Sequence, residues 1–258
     1  KDGRKMIRMI LHGCGGAMGR AVTEMAESRE DISIVAGIDI TGKGWGEYPV
    51  YTSFADCGET ADAVVDFASA KAVDGLLDYC GRTKTPVVLC TTGLSEEQKR
   101  RVEETAGTAA VLQSANMSLG VNLLLKLVEA GARALAPAGF DIEIVEKHHS
   151  RKLDAPSGTA IALAEAANRA MGDAYHYVYD RSGRRQKRDP REIGISSVRG
   201  GSIVGEHDVI FAGMDEIVTL SHTAFSRSIF AKGALEAAVF LAGKEPGLYS
   251  MADVLGLQ

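Results

Sequence analysis

Positive charge is not in excess in this chain. Its 29 lysines and arginines face 34 aspartates and glutamates, a net charge of −5. Bulk electrostatics therefore give no attraction to nucleic acid or to an anionic membrane, and an anionic ligand must be drawn by a local patch. No apolar run reaches the roughly 18 residues of a membrane span. The N-terminal KDGRKMIRMILHG runs a short apolar stretch straight into glycines. It lacks a small-residue cleavage site, so it does not read as a signal peptide. The missing initiator methionine points to a trimmed or tagged start. Cysteine is scarce: Cys14, Cys57, Cys80 and Cys90 form no C-x-x-C pair and have no histidine at metal-ligand spacing. They read as free, mostly buried thiols of a reducing compartment, so the cytoplasm is the expected location. There is no G-x-S-x-G elbow or metal-ligand set, which argues against a hydrolase. Repeats, low-complexity tracts and long linkers are also absent. What is present is ordinary for a globular protein: 258 residues, 45% hydrophobic and 24% charged. That is enough chain for one or two domains.

The first half alternates between two periodicities. MIRMILHG (6–13), ISIVAGID (32–39), ADAVVDF (61–67), PVVLCTTG (86–93) and AAVLQSAN (109–116) read as buried strands. GRAVTEMAESRE (19–30), AVDGLLDYCGR (72–82) and SEEQKRRVEETAG (95–107) read as helices between them. The last begins with Ser95 and has Gln98 three residues on, a capping box. Such alternation predicts a Rossmann-type doubly wound parallel sheet, the α/β class. The second half differs. LGVNLLLKLVEAGARALA (119–136) and SGTAIALAEAANRAMG (157–172) are helical, and FDIEIVEKHH (140–149) is a strand. After the basic loop RSGRRQKRDPRE come three strands with short turns, IGISSVRGG (193–201), SIVGEHDVIFAG (202–213) and DEIVTLSHTAF (215–225), which predict a mainly antiparallel sheet. FAKGALEAAVFLAG (230–243) is a closing helix expected to return to the first domain. The expected boundaries are a dinucleotide-binding domain over 1–118, completed by 228–258, and an α+β domain over 119–227. The basic loop 180–191 reads as a mobile solvated loop or an assembly contact.

HGCGGAMGR (12–20) lies between the first strand and the first helix, where backbone amides and a helix N-terminus suit a pyrophosphate. Gly13 and Gly15 are followed by Met18 where G-x-G-x-x-G needs glycine, and the third glycine is Gly19, one residue late. A plain tight turn is the alternative. Asp39 closes the second strand about twenty residues on, where an acid accepts from the adenosine ribose hydroxyls. A simple strand-end carboxylate is its plainer reading. Together they favour dinucleotide binding. Such an acid repels the 2′-phosphate of NADP, and Ile40 offers no guanidinium, although Lys43 is close by.

VEKHHSRKLDAPSGTA (145–160) concentrates titratable and cationic groups. Histidine gives and takes a proton near neutrality, and lysine holds a carboxylate as a point charge. At a helix start in SGTA, the Gly158 and Thr159 amides and a hydroxyl of Ser157 or Thr159 make a second anion site. The set suits a small dianionic substrate. As zinc ligands His148 and His149 are disfavoured, because neighbours on a strand point to opposite faces and no ligand set completes a site. Packing histidines are the bland alternative. Arg151 reads as a solvated or interface charge, and Asp154 and Pro156 as turn chemistry.

This stretch closely resembles the E-x-H-H-x-x-K-x-D-A-P-S-G-T-A signature of the bacterial 4-hydroxy-tetrahydrodipicolinate reductase (dihydrodipicolinate reductase) family. The resemblance extends to GCGGAMGR, VVDFAS (64–69), CTTGLS (90–95), SANMSLGVN (114–122), VGEHDVIFAG (204–213) and the C-terminal helix. It implies a Rossmann domain closed by that helix, a substrate domain whose sheet assembles a homotetramer, and a place in diaminopimelate and lysine biosynthesis. It implies hydride transfer from NADH or NADPH to C4 of a cyclic imine, with loss of water. His148 is then the general acid that protonates a ring carbon. Lys152 assists as donor and anchor, His149 binds substrate, and Gly158 and Thr159 hold a carboxylate. Cofactor contacts fall to Gly13, Cys14, Gly15, Gly16, Ala17, Met18, Asp39, Phe67, Cys90, Thr91, Thr92, Ser114, Ala115, Asn116 and Met117, with no metal. A cofactor on one domain and a dianion on the other imply closure that excludes water. The chain departs from the family at Ala17, where many relatives carry arginine, at Cys90, where glycine is usual, and at Met117, where phenylalanine is usual. Asp39 is often glutamate. Ala17 and Ile40 together tilt the expected cofactor towards NADH. The rivals are a related reductase of another small dicarboxylate and a non-catalytic Rossmann module that senses redox state.

Overall fold

The computed structural model describes residues 6–257, so KDGRK at the start of the 1–118 segment and Gln258 at the end of 228–258 lie outside the described residues. The chain divides into two compact units. One runs up to Leu119 and resumes at Ser228, and the other is Gly120–Arg227.

In the first unit the strands are β1 (Ile7–His12), β2 (Ile32–Ile38), β3 (Val50–Tyr51), β4 (Ala63–Asp66), β5 (Val87–Leu89) and β6 (Ala110–Gln113), with β12 (Gly247–Tyr249) from the chain end. They form a parallel seven-stranded sheet in the order β12-β6-β5-β4-β1-β2-β3. The central strands are apolar on both faces because helices cover both. Along β1, Met9 and Leu11 enter one cluster while Ile10 enters the other, as alternation along a strand requires. The first cluster is capped by α1 (Ala17–Ala26) and α6 (Ser228–Leu241), the second by α2 (Val73–Thr83) and α3 (Glu96–Ala106). The α3 capping box forms: Ser95 Oγ accepts from the Gln98 N–H and Gln98 Oε1 from the Ser95 N–H, each at 3.1 Å. Helix α6 packs so closely that a Cβ on Gly233 would lie 1.7 Å from the Met117 carbonyl oxygen. Helix α1 starts at Ala17, earlier than the sequence pattern predicts. Gly16 takes the extended N-cap conformation, and Ala17 and Met18 then enter the helix.

The second unit holds most of α4 (Leu119–Leu135), then β7 (Asp141–His148), α5 (Gly158–Ala170), β8 (His176–Val178), β9 (Glu192–Arg199), β10 (Gly205–Ala212) and β11 (Ile217–Ala224). Its five-stranded sheet has the order β11-β10-β7-β9-β8. The expected antiparallel character holds for β10 with β11 and for β10 with β7, whereas β9 runs parallel to β7 and to β8. So β9 and β10 border β7 on opposite sides and do not pair with each other. Two crossovers explain this: α5 carries the chain from β7 to the edge strand β8, and the basic loop carries it from β8 back to β9, which enters between β8 and β7, so all three run parallel. Strand β7 alternates strictly, with Ile142, Ile144, Glu146 and His148 buried. Ile142 and Ile144 join a core made with α4 and α5. Glu146 and His148 continue that inward row where the apolar core ends.

The basic loop is tied down. Arg188 bonds to Asp141 at 2.7 Å and to Glu143 at 2.9 Å. Arg181 bonds to Glu143 at 2.6 Å and also pairs with buried Glu192, which Arg184 reaches at 3.0 Å. A Cβ on Gly194 would come within 1.8 Å of Glu143 Oε2, so this glycine lets the Glu143 carboxylate lie across β9 towards the arginines. Arg181, Arg184 and Arg188 thus pair with acids of β7 and β9, while Arg185 and Lys187 stay exposed; the sequence reading was a mobile solvated loop or an assembly contact.

Candidate functional site

In the first unit a candidate cofactor site lies where β1 meets α1. Gly13 has φ +78°, and a Cβ there would sit 2.7 Å from the Phe67 backbone. Only glycine relieves both constraints. A Cβ on Gly15 would meet the Lys43 carbonyl at 2.8 Å and Asp39 Oδ2 at 2.9 Å. Gly16 caps α1 without a side-chain acceptor, which leaves first-turn amides for an anion such as a phosphate. Ala17 is exposed and Met18 half-buried. Cys14 is fully buried with its thiol 3.7 Å from the Lys43 carbonyl, so only its backbone is left for a ligand. Burial, reinforced by the Asp39 charge, pushes that thiol up to about 11.

Asp39 accepts from the Gly15 N–H at 3.0 Å, the Thr41 N–H at 2.9 Å and the Thr41 hydroxyl at 2.6 Å. Burial opposes its ionisation, but the bonds from Thr41 and Gly15 outweigh it and hold its pKa below the usual value. Ile40 is 86% exposed beside it. Trp45, which the sequence reading passed over, donates its indole N–H to the Gly15 carbonyl at 3.1 Å, and the Arg20 guanidinium lies 4.9 Å above its ring. The single tryptophan therefore borders the glycine loop.

A second overlooked residue organises the strand ends. Asp66 is fully buried; it lies 2.8 Å from His12 Nδ1 and accepts from the Ala68 N–H at 3.1 Å and the Thr91 N–H at 3.3 Å. It thereby fixes the turns that carry Phe67 and Cys90–Thr91–Thr92. Thr91 Oγ1 is buried without a protein partner, a polar atom left for a ligand. Thr92 is exposed, and burial raises the Cys90 thiol well above its usual range. After β6, Ser114 Oγ donates to the Asn116 carbonyl at 2.8 Å, Ala115 is exposed, and the Met117 side chain belongs to the core. These residues fit a bound dinucleotide: cradles that a Cβ would fill, free helix-start amides, an ionised acid and an orphaned hydroxyl lie at the strand ends of a doubly wound sheet.

In the second unit a separate cluster lies at the end of β7. His148 Nδ1 is 2.6 Å from Glu146 Oε2. Arg199 grips the same carboxylate from β9, at 2.8 Å to Oε2 and 2.7 Å to Oε1, and the Ser157 N–H donates to Oε1 at 3.1 Å. Burial alone would raise the Glu146 pKa; the bonds from Arg199, Ser197, His148 and Ser157 overcome it and bring it down to about 2. From β10, His207 lies edge-on to His148 at 5.1 Å between ring centres and shares a 2.9 Å hydrogen bond with Ser157 Oγ. Burial, with the neighbouring His148, lowers its pKa to about 4, so it is neutral at physiological pH. Ser157 caps α5 by accepting from the Ala160 N–H at 3.1 Å. The space about Gly158 is open, and it is exposed at the start of that helix, next to Thr159.

Lys152 is mostly buried, with Nζ 2.8 Å from Asp154 Oδ1, and Arg199 also bonds to the Asp154 carbonyl at 2.6 Å. Asp154 thus holds the loop cation Lys152 by its carboxylate and the β9 cation Arg199 by its carbonyl, more than turn chemistry. His149 begins the turn after β7. Burial lowers its pKa, and so do the nearby charges of Arg151, Arg227, His148 and Lys152. The structure brings His148, Lys152, His149, Gly158 and Thr159 into one unit and the glycine loop, Asp39, Phe67, the 90–92 turn and the 114–117 segment into the other. Among the described residues no group of three His, Cys, Asp or Glu side chains is placed to hold a metal, and no helix is long and apolar enough to cross a membrane.

A doubly wound sheet with a glycine loop, joined to a unit with a buried acid–imidazole pair beside a helix start, defines a two-unit Rossmann-type protein. Family models described as dihydrodipicolinate reductase, N-terminus and C-terminus, match residues 7–117 and 120–255. The chain belongs to the dihydrodipicolinate reductase family. It is 49% identical over 250 residues to the 4-hydroxy-tetrahydrodipicolinate reductase of Caldanaerobacter subterraneus subsp. tengcongensis, covering 97% of this chain and 98% of that one. It is 44% identical to the enzyme of the same name from Clostridium tetani, covering 97% of each. Its fold is similar to the dipicolinate-bound dihydrodipicolinate reductase from Paenisporosarcina sp. TG-14, with a TM-score of 0.81 at 24% identity, over 96% of this chain and 98% of that one.

Proposed function

We propose that this protein reduces 4-hydroxy-tetrahydrodipicolinate to tetrahydrodipicolinate in the diaminopimelate route to lysine. The observation that carries the proposal is the buried His148, tied through Nδ1 to Glu146 at 2.6 Å, in the same unit as the start of α5 and the Lys152 ammonium. It is an acid and an anion site within one unit. The relatives' shared name supports the substrate.

The first unit, residues 1–118 with 228–258, binds the dinucleotide, and 119–227 binds substrate and assembles the protein. A bound reduced nicotinamide supplies a hydride to C4. The Gly13–Gly16 loop would let the pyrophosphate approach, and the first-turn amides of Ala17 and Met18 would receive it. Asp39 accepts three hydrogen bonds, which leaves about one acceptor site on its carboxylate for a ribose hydroxyl. Phe67, Cys90, Thr91 and Thr92, with Ser114, Ala115, Asn116 and Met117, border the nicotinamide end. The Asp39 charge, with no arginine at Ala17 or Ile40, favours NADH; Lys43, and Arg20 stacked on Trp45 beside the glycine loop, are the cations that leave NADPH usable. In the second unit the Gly158 and Thr159 amides and the Lys152 ammonium hold carboxylates. Neutral His149 accepts a hydrogen bond, and His148 delivers its proton to the ring carbon. Exposed Ile217 and Val218 on the edge strand β11 support a homotetramer built through this sheet. The cytoplasm, where the cofactors and free thiols persist, is the proposed location.

The test is a coupled assay in which a synthase makes the unstable substrate in place, with NADH and NADPH oxidation followed separately. Synthase-dependent oxidation is expected, faster with NADH. Binding of both cofactors without oxidation would refute the proposal and favour a non-catalytic module. His148→Gln is expected to lose about 100-fold or more in turnover with little change in NADH affinity; turnover within about threefold of wild type would rule out His148 as the acid.

A further inference from the structure

The acid–imidazole pair has a third member that the expected machinery leaves out. Strand register sets Arg199 beside His148 and Ser197 beside Glu146 on β9, while His207 stands beside Glu146 on β10. The guanidinium takes both carboxylate oxygens of Glu146, and the carboxylate takes His148 Nδ1. The remaining imidazole nitrogen, Nε2, lies over Gly205, where even a Cβ would approach to 3.1 Å. A fully buried carboxylate at Nδ1 keeps the proton of the neutral ring there and aims Nε2 away from it.

We infer that Glu146, locked by Arg199, is the positioning residue of His148: it fixes the ring's orientation and tautomer and sets how strongly Nε2 holds the proton it gives up. Glu146 presents its carboxylate to Nδ1, and Arg199 binds both oxygens of that same carboxylate. The proton moves from Nε2 to the substrate carbon, and the imidazole is left neutral with its Nδ1–H on Glu146. The inference rests on the reading of His148 as general acid. The titratable and charged groups facing His148 are Glu146 on its own strand, Arg199 on β9, His207 on β10, His149 next along the chain and Lys152 in the following loop. His207 is already neutral, so within this set Glu146 and Arg199 are opposed levers on one proton.

The opposition supplies the test. The full-length protein is compared with Glu146→Gln and Arg199→Met by the pH profile of kcat/KM and by NMR titration of the His148 ring proton, assigned by its loss in His148→Gln. Glu146→Gln is expected to move the His148 midpoint, and the alkaline limb of the profile, down by about one pH unit or more and to cut kcat about 100-fold, with NADH affinity unchanged. Arg199→Met is expected to move both upward. Shifts in the same direction, or no shift in either, would overturn the inference. If Glu146→Gln fails to fold, the upward shift in Arg199→Met still decides. The NMR titration needs no turnover, so it separates a failure of this inference from a failure of the reductase reading.

Discussion

Replacing Glu146 by glutamine tests the electrostatics of the second unit through stability alone. The native carboxyl titrates at about 2, against an ordinary 4.5. A group whose folded pKa is depressed stabilises the fold above its unfolded pKa, and loses that contribution as pH falls towards the folded value. For Glu146 this is about 3 kcal/mol at neutral pH and about 1 kcal/mol at pH 3. Glutamine keeps the shape but not the charge, and it leaves Arg199 facing a neutral group. Urea unfolding followed by far-UV circular dichroism, at pH 7 and at pH 3, gives the stability gap between wild type and variant. The gap is expected to be about 3 kcal/mol at pH 7 and to shrink by about 2 kcal/mol at pH 3. A domain with a typical 5–15 kcal/mol survives that loss at pH 7. An equal gap at both pH values would refute the assignment of a depressed, charge-paired Glu146.

Other outcomes follow from close contacts. Trp45, the single tryptophan, touches the Gly15 carbonyl, so NADH is expected to quench its emission and be sensitised by it; a titration without energy transfer would remove the dinucleotide from this loop. Gly13→Ala puts a Cβ 2.7 Å from the Phe67 backbone at φ +78°, and is expected to lose at least about 2 kcal/mol in thermal unfolding and most NADH affinity by calorimetry. Gly194→Ala displaces Glu143 from Arg181 and Arg188, and is expected to lower the melting temperature by several degrees in low salt while leaving NADH affinity intact. Lys152→Met is expected to raise KM and lower kcat in the coupled assay; an unchanged KM would remove it from the substrate site.

Much of the fold was legible because it is local. The βα alternation, the Ser95–Gln98 box and the crowded strand ends are all written within a few residues of each other. What was not legible depends on who stands beside whom. Strand β9 was read as the neighbour of β10 because the turn between them is short, yet the α5 crossover to β8 and the return through the basic loop had already placed it between β8 and β7. Arg199 and His207 reach Glu146 only through that order, so no local pattern marks them. Glu146 did carry a signal, since it stands two residues before His148 and so on the same side of the strand. The arginines of the basic loop looked solvated because their acids, Glu143 and Glu192, lie on other elements. In the glycine loop the turn was readable, but Trp45 approaches it from a segment with no motif of its own, and Asp66 lies in VVDFAS, where Phe67 was the residue singled out.

The first unit is begun by one end of the chain and finished by the other. Helix α6 covers β4, β5 and β6, and β12 adds the edge next to β6. During synthesis the second unit, a single continuous segment, emerges whole before either of these pieces exists. The sheet made first therefore waits with Met9, Leu11 and Val65 open to water while its neighbour is already able to fold. A nascent chain halted before Ser228 is expected to be the form that chaperones hold, with a finished second half attached to a first half that still lacks its cover.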